Sequence, residues 1–279
     1  MSFDESRWFH LSSEVIAGYF EKINKHPNRQ STIFYGNPDS IWSSAKNTDV
    51  IIDYFGPDGL NYIPSDLRHL NDWNGNNKDI CELINKGTFL VQYRGHGQYQ
   101  AWAKPYFSNN EINKLNNEDL TFVMSTNCRT GNFRYGEDDN DCFAEHFMRT
   151  ENGCVAIIAA SETSYSFVND TYVWGVYDYL WNDFMPDYGK NNTNFKYPAF
   201  ANSYGKYFLK QSSWPEFEFN KNVTYNLFHY FGDAFLQLNT EMPEEINISY
   251  PKEISTDCSS FSIKKDDMTR VAFSVNGEL

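Results

Sequence analysis

Residues 88–93 (TFLVQY), 120–126 (LTFVMST) and 155–160 (VAIIAA) decide the fold of this chain. Each is short, mostly apolar and rich in β-formers, without the regular polar alternation of a strand that has one face in water. Strands buried on both faces read this way, and they occur in parallel sheets whose crossovers are helices. The intervening sequence supplies the helices. Ser108-Asn109-Asn110-Glu111 is a capping box ahead of EINKL. Residues 79–86 put Ile80, Leu83 and Ile84 on one face, with Gly87 as the stop. The expectation is an α/β fold with a mainly parallel sheet covered on both faces.

Working outward, residues 12–25 place Val15, Ile16, Tyr19, Phe20 and Ile23 at helical spacing before Pro27 breaks the pattern. A β-prone run at 31–35 ends in the turn Gly36-Asn37-Pro38-Asp39. Residues 48–55 read as a helix closed by Gly56-Pro57-Asp58-Gly59. Past residue 161 the chain reads as aromatic and loop-rich to about Pro198, then helical, with Phe231-Gly232-Asp233 in a loop. From about residue 241 short β-like runs alternate with turn residues, and Asn276-Gly277 marks a hairpin turn with no return strand. The organisation expected is the end of a preceding subdomain at 1–30, one large domain at 31–240, and the opening strands of a β-sandwich at 241–279.

Composition narrows the function. A chain of 279 residues with 41% hydrophobic and 18% aromatic content has the material for a sizeable core. Its formal net charge of −14 and pI near 4.8 argue against nucleic-acid binding. No apolar run approaches the roughly 18–20 residues that a membrane-spanning helix needs. The opening MSFDESRWFH lacks the basic and apolar regions of a signal peptide. Five cysteines (Cys81, Cys128, Cys142, Cys154, Cys258) form no CxxC pair, which excludes a zinc site by spacing. No HExxH or clustered ligand set supports a metal-dependent hydrolase.

The chemistry lies past the strand ends. In open parallel sheets, loops beyond the carboxyl ends of the strands converge on one crevice. His96 (Arg94-Gly95-His96-Gly97) follows the first strand and Cys128 (Thr126-Asn127-Cys128-Arg129) follows the second. A free thiol, with pKa near ~8.5, is only a few per cent thiolate at neutral pH. An adjacent imidazole takes its proton, or stabilises the thiolate as imidazolium, and later protonates the leaving amine. The N–H groups of Gly97 and Cys128 are candidate oxyanion donors, and one such donor is worth about 3–4 kcal/mol of barrier. The competing reading is a structural histidine and a packed cysteine, and the residues alone leave both open.

QYRGHGQYQAWAKP resembles the histidine motif of the gingipain family of cysteine peptidases, and FVMSTNCRTGNF resembles its nucleophile motif. Further matches follow in order: Cys142-Phe143-Ala144-Glu145 with Met148-Arg149, then residues 153–161, then Leu227 with Phe231-Gly232-Asp233. The resemblance implies a caspase-like three-layer αβα sandwich followed by an immunoglobulin-like domain. It also implies an endopeptidase with Cys128 as nucleophile and His96 as proton shuttle, acting on polypeptide outside the cell or at its surface. Family members carry more sequence before the matched region, so the chain reads as cut at both ends. An acidic third residue orients the histidine in the family. Asp39 is the candidate, with Asp49 or no acid at all as alternatives. No cofactor is required, but structural calcium is common in the family; Glu137-Asp138-Asp139-Asn140-Asp141 either holds it or, lacking the glycine and terminal glutamate of an EF-hand loop, is a solvated acidic loop, the reading its composition favours. Two other outcomes are a homologue that only binds polypeptide and a sorting-type transpeptidase.

Specificity does not transfer from the family. Basic-residue-cleaving members use an acid near the helix equivalent to 48–55, and Ile41-Trp42-Ser43-Ser44-Ala45 has none. Arg94 either lines the primary pocket or bonds loop carbonyls. Thr126 stands beside it as a further substrate-binding candidate. Tyr165, Ser166 and Phe167, past the third strand, form a pocket wall or belong to the core. Cys81, Cys142, Cys154 and His146 read as packed residues, and His229 and Asp233 as shaping a loop.

Overall fold

The computed structural model describes residues 5–23, 46–63, 75–135, 141–188, 195–214, 218–240, 248–251, 253, 257 and 260–264. Its helices are α1 (Glu5–Lys22), α2 (Lys46–Phe55), α3 (Asn77–Asn85), α4 (Asn109–Ile112), α5 (Phe143–Arg149), α6 (Ser166–Leu180), α7 (Pro198–Gln211) and α8 (Glu218–Leu227). Its strands are β1 (Leu90–Arg94), β2 (Gly97–Gln98), β3 (Ala101–Trp102), β4 (Phe107–Ser108), β5 (Thr121–Thr126), β6 (Cys154–Ala160) and β7 (Phe228–Phe231).

The three apolar runs form three neighbouring strands of a four-stranded sheet of order β1-β5-β6-β7. β1, β5 and β6 are parallel, and β7 closes the described sheet antiparallel to β6. Alternate residues feed two cores. Phe122, Met124, Ala156, Ile158 and Ala160 pack with Tyr19 of α1, Phe55 of α2 and Tyr172 of α6. Val123, Ile157 and Ala159 pack with Ile84 of α3, Ile112 of α4 and Phe143 of α5. Strand periodicity of two therefore generates the three layers. The capping box expected at Ser108 forms, and α3 carries a second one, at Asn76. Asn76 caps α3 against Asp79, and the Ser108 N–H donates to Glu111 Oε2 at 3.0 Å.

Three expectations need correction. The aromatic stretch past residue 161 is not loop-rich: it contains α6, fifteen residues long and buried at every residue from 168 to 180. A helix buried on all sides carries no apolar stripe, so the usual periodic signal is missing. Phe228–Phe231 is a strand that the reading did not separate from the loop after it. α1 also begins at Glu5, earlier than expected. The β-prone run at 31–35 lies outside the described residues.

Residues Met1–Leu238 and Asn239–Leu279 separate into two compact units. In the second, Ser249 and Lys264 exchange two N–H···O bonds of 3.1 Å across an isolated antiparallel bridge. Most of the expected β-sandwich lies outside the described residues.

Candidate active site

The last rung between β1 and β5 pairs Arg94 with Thr126. Two residues further along each strand stand His96 and Cys128. Neighbouring strands run about 4.8 Å apart, so both loops leave the same end of the sheet at the same level. Gly97 shows how tightly they meet. A Cβ built there would lie 2.0 Å from Asn127 Oδ1 and 2.5 Å from the Cys128 carbonyl oxygen. Only glycine lets the two loops close on each other at this point.

The histidine loop is anchored by aromatic residues. The His96 carbonyl accepts hydrogen bonds from the Tyr93 hydroxyl and the Ala103 N–H, both at 2.9 Å. Tyr93 stacks on Trp102 at 4.4 Å and 7°. The imidazole itself is exposed and meets Phe9 of α1 edge-on, with ring centroids 5.2 Å apart. Trp102, the conspicuous tryptophan of the motif, donates its indole N–H to Ser125 Oγ at 2.8 Å.

That bond ties the histidine loop into a closed ring under the nucleophile. Asn127 Nδ2 donates to Ser125 Oγ at 2.7 Å, and Thr130 Oγ1 donates to Asn127 Oδ1 at 2.8 Å. With the Thr130 proton so committed, Ser125 must be the donor in the remaining 2.9 Å bond to Thr130 Oγ1. All three side chains are buried and every hydroxyl proton has an acceptor. A satisfied ring of this kind is rigid, and breaking one member strands the others.

Cys128 is half-buried and its sulfur faces Ser164, in the loop after β6. The Ser164 N–H donates to Sγ at 3.3 Å, and Ser164 Oγ lies 3.7 Å from it. The next residue, Arg129, has φ of +64°, a left-handed conformation costly for a side chain larger than glycine's. Glu162 holds it there, accepting from the Arg129 N–H at 3.3 Å and facing its Nε at 3.7 Å. The other described cysteines are poor thiolates. Burial pushes the Cys142 thiol up to about 12 and raises Cys154 further, and burial, then the charge of Glu111, raises Cys81.

The remaining candidates take varied positions. The Arg94 guanidinium is buried, bonding Asp170 of α6 through Nε at 2.6 Å and Nη2 at 3.0 Å, and the Ser166 carbonyl at 2.5 Å. It also covers the Phe9 ring at 4.4 Å. Thr126 is buried and accepts from Gln92 Nε2 at 3.1 Å. Tyr165 caps α6 and packs partly against the core, and Ser166 and Phe167 open the helix. Asp49 is exposed in the first turn of α2, while Asp39 lies outside the described residues. Sequence reasoning missed Ser125, Thr130, Ser164, Asn169 and Asp170. Ser164 had one visible signal, its place past the carboxyl end of a core strand.

Among the described residues no group of three or more His, Cys, Asp or Glu could hold a metal ion. Of the acidic segment 137–141 only Asp141 is described. Its carboxylate pairs with Arg149 at 2.6 Å and its carbonyl accepts from Gln100 and Asn109. No described helix is long and apolar enough to cross a membrane.

Known proteins share parts of this chain's sequence and fold. Gingipain R2 of Porphyromonas gingivalis is 25% identical over 197 residues, which is 68% of this chain and 25% of that protein. Lys-gingipain W83 of the same organism is 27% identical over 225 residues, 70% of this chain and 12% of its relative. The chain thus spans a quarter or less of the length of these relatives. The crystal structure of the Arg-specific cysteine proteinase gingipain R superposes with a TM-score of 0.56 at 24% identity. It covers 70% of this chain and 44% of its own, which establishes the caspase-like fold. The family model for peptidase family C25 matches residues 14–239. The chain belongs to peptidase family C25, the gingipain-like cysteine peptidases.

Proposed function

We propose that the chain is the catalytic part of a cysteine endopeptidase. The Cys128 thiolate attacks the scissile carbonyl and the N–H groups of Gly97 and Cys128 hold the oxyanion. His96 accepts the thiol proton and delivers one to the leaving amine, and water then releases the acyl-enzyme. The observation that carries this reading is the register. Residues 96 and 128 follow the rung Arg94–Thr126 by two positions each, on adjoining parallel strands, and Gly97 lies against the Cys128 carbonyl.

Asp39 is the proposed third acid, with Asp49 as the alternative. The substrate is polypeptide, met outside the cell or at its surface. Arg94 faces Asp170, so its charge is matched within the protein. A pocket floored by Arg94 and Thr126 would then favour neither acidic nor basic side chains, with Tyr165, Ser166 and Phe167 forming its wall. Structural calcium in the acidic loop at 137–141 and an immunoglobulin-like domain opening at residue 241 complete the proposal.

Iodoacetamide alkylation followed by peptide mapping tests it. Cys128 should be labelled at least tenfold faster than Cys81, Cys142 and Cys154, and His96→Ala should slow Cys128 labelling and peptide cleavage by roughly 10²–10⁴-fold. Equal labelling of all accessible thiols, with no cleavage of a peptide library, would leave a polypeptide-binding homologue. Product carrying an added amine would indicate transpeptidation.

A further inference from the structure

The sulfur of Cys128 is aimed at one residue, Ser164, and that residue is held by another. Ser164 Oγ accepts from Asn169 Nδ2 at 2.7 Å and donates to the Asn127 carbonyl at 3.2 Å. The hydroxyl is pinned from two sides, by α6 and by the nucleophile loop. Pinned so, the Ser164 backbone N–H points at Cys128 Sγ at 3.3 Å. We propose that Asn169 and Ser164 are a positioning pair that fixes this N–H on the sulfur and so favours the thiolate of Cys128. The proposal rests on Cys128 being the nucleophile and names what prepares it.

The effect of the pair has two parts, what the N–H does to the sulfur and what holding it there costs. A neutral thiol sulfur is a weak acceptor, whereas a thiolate accepts a charge-assisted hydrogen bond. An N–H fixed on the sulfur therefore stabilises one protonation state over the other. Ser164 also precedes the first residue of α6 by two positions, so the sulfur lies near the positive end of a fifteen-residue helix. The second part is the cost of Asn169. It is 1% exposed, and its Oδ1 has no hydrogen-bond partner among the described residues. Leaving a buried amide oxygen unpaired is destabilising, and leucine of similar volume would avoid that cost. The half of the side chain that is engaged serves only Ser164.

Other charged or titratable groups border this corner. They are His96 beyond β1, the Arg129–Glu162 pair at 3.7 Å flanking the nucleophile loop, and the Arg94–Asp170 pair at 2.6 Å beneath α6's first turns. None is altered by the substitutions below.

The experiment is the pH profile of Cys128 alkylation by iodoacetamide in the full chain, followed from pH 4 to 9 by peptide mapping, with thermal midpoints measured in parallel. Ser164→Ala and Asn169→Leu should move the profile to higher pH and slow alkylation at pH 6 by roughly threefold to tenfold. Ser164→Thr, which keeps the hydroxyl, should track the parent. Asn169→Leu should do this with an unchanged or raised thermal midpoint, the signature that separates positioning from mere packing. Profiles of Ser164→Ala and Asn169→Leu that overlay the parent, with Cys128 still selectively labelled, would overturn the pair alone. So would slower labelling of Asn169→Leu that appears only with a lowered midpoint. A parent chain in which Cys128 is not selectively labelled removes the nucleophile itself, and the pair falls with it.

Discussion

Asp170 and Asp178 lie about two turns apart on α6, exposed by only 2% and 3%, and the protein treats their charges in opposite ways. Asp170 has a cation. Arg94 grips it through two nitrogens at 2.6 and 3.0 Å, next to the nucleophile's corner. Among the described residues Asp178 meets neutral donors, the Met185 N–H at 3.1 Å and the Tyr204 hydroxyl at 3.4 Å. Burial pushes its carboxyl up to about 7 against those two donors, and the nearby Asp183 adds to the rise. The contrast separates two tasks. Near the chemistry, a buried charge is cancelled by its partner. About 12 Å further along the helix, a carboxyl that titrates near neutrality is kept away from the sulfur and bears on stability instead.

The strongest way to break this comparison is to remove the cation. Arg94→Met strips the buried Asp170 of this cation, and losing one partner of a buried ion pair costs about 3–5 kcal/mol. Chemical denaturation of the full chain should show a loss of that size. Arg94→Met combined with Asp170→Leu should regain most of it, because two apolar side chains need no countercharge. A single substitution costing under about 1 kcal/mol would mean that Asp170 finds another way to hold its charge.

Asp178→Asn sharpens the other half. The folded-state value of about 7 stands above the ordinary carboxyl value of about 3.9, so the folded chain binds this proton more tightly than the unfolded one. The stability that Asp178 contributes is therefore complete below about pH 4, declines as pH rises, and is lost above about pH 7. Asparagine resembles the protonated form at every pH. The variant should match the parent near pH 4 and exceed it at pH 8 by on the order of 2–4 kcal/mol. Parallel pH–stability curves for parent and variant would show that Asp178 stays ionised when buried.

How much of this could be read in advance follows the same division. β5 and β6 were legible because burial on both faces leaves long apolar runs, and β1, at the end of the described sheet and partly buried, by its β-rich composition. α3 was legible because Ile80, Leu83 and Ile84 share one face ahead of Gly87, and α4 because Ser108–Glu111 obeys capping chemistry. His96 and Cys128 stood out by position after strands. α6 was not legible: its buried residues include Asp170 and Asp178 among aromatics, and polar residues whose partners lie elsewhere in the chain look like loop residues in one dimension. Arg94 and Asp170 are 76 residues apart, and Ser164 and Cys128 are 36 apart. No local rule links such positions. The motif tryptophan was visible, but its indole bond to Ser125 requires the fold.

The smallest effect expected comes from Tyr204→Phe. The Tyr204 hydroxyl donates to Asp178 Oδ2 over 3.4 Å and favours the charged carboxylate. Phenylalanine retains the ring and its contact with Tyr179, whose centroid lies 5.6 Å away. Only the donor is lost, and a long hydrogen bond to a charged group is worth about 0.5–1.5 kcal/mol at most. The loss should therefore appear above pH 7, where Asp178 is ionised, and vanish near pH 4, where it is protonated. The pH at which stability falls should move upward by a few tenths of a unit. Alkylation of Cys128 should stay as in the parent at every pH, since the substitution lies at the far end of α6 from the sulfur. A change in Cys128 reactivity in Tyr204→Phe would show that the helix couples its two ends, and that the charge at 178 is not insulated from the chemistry.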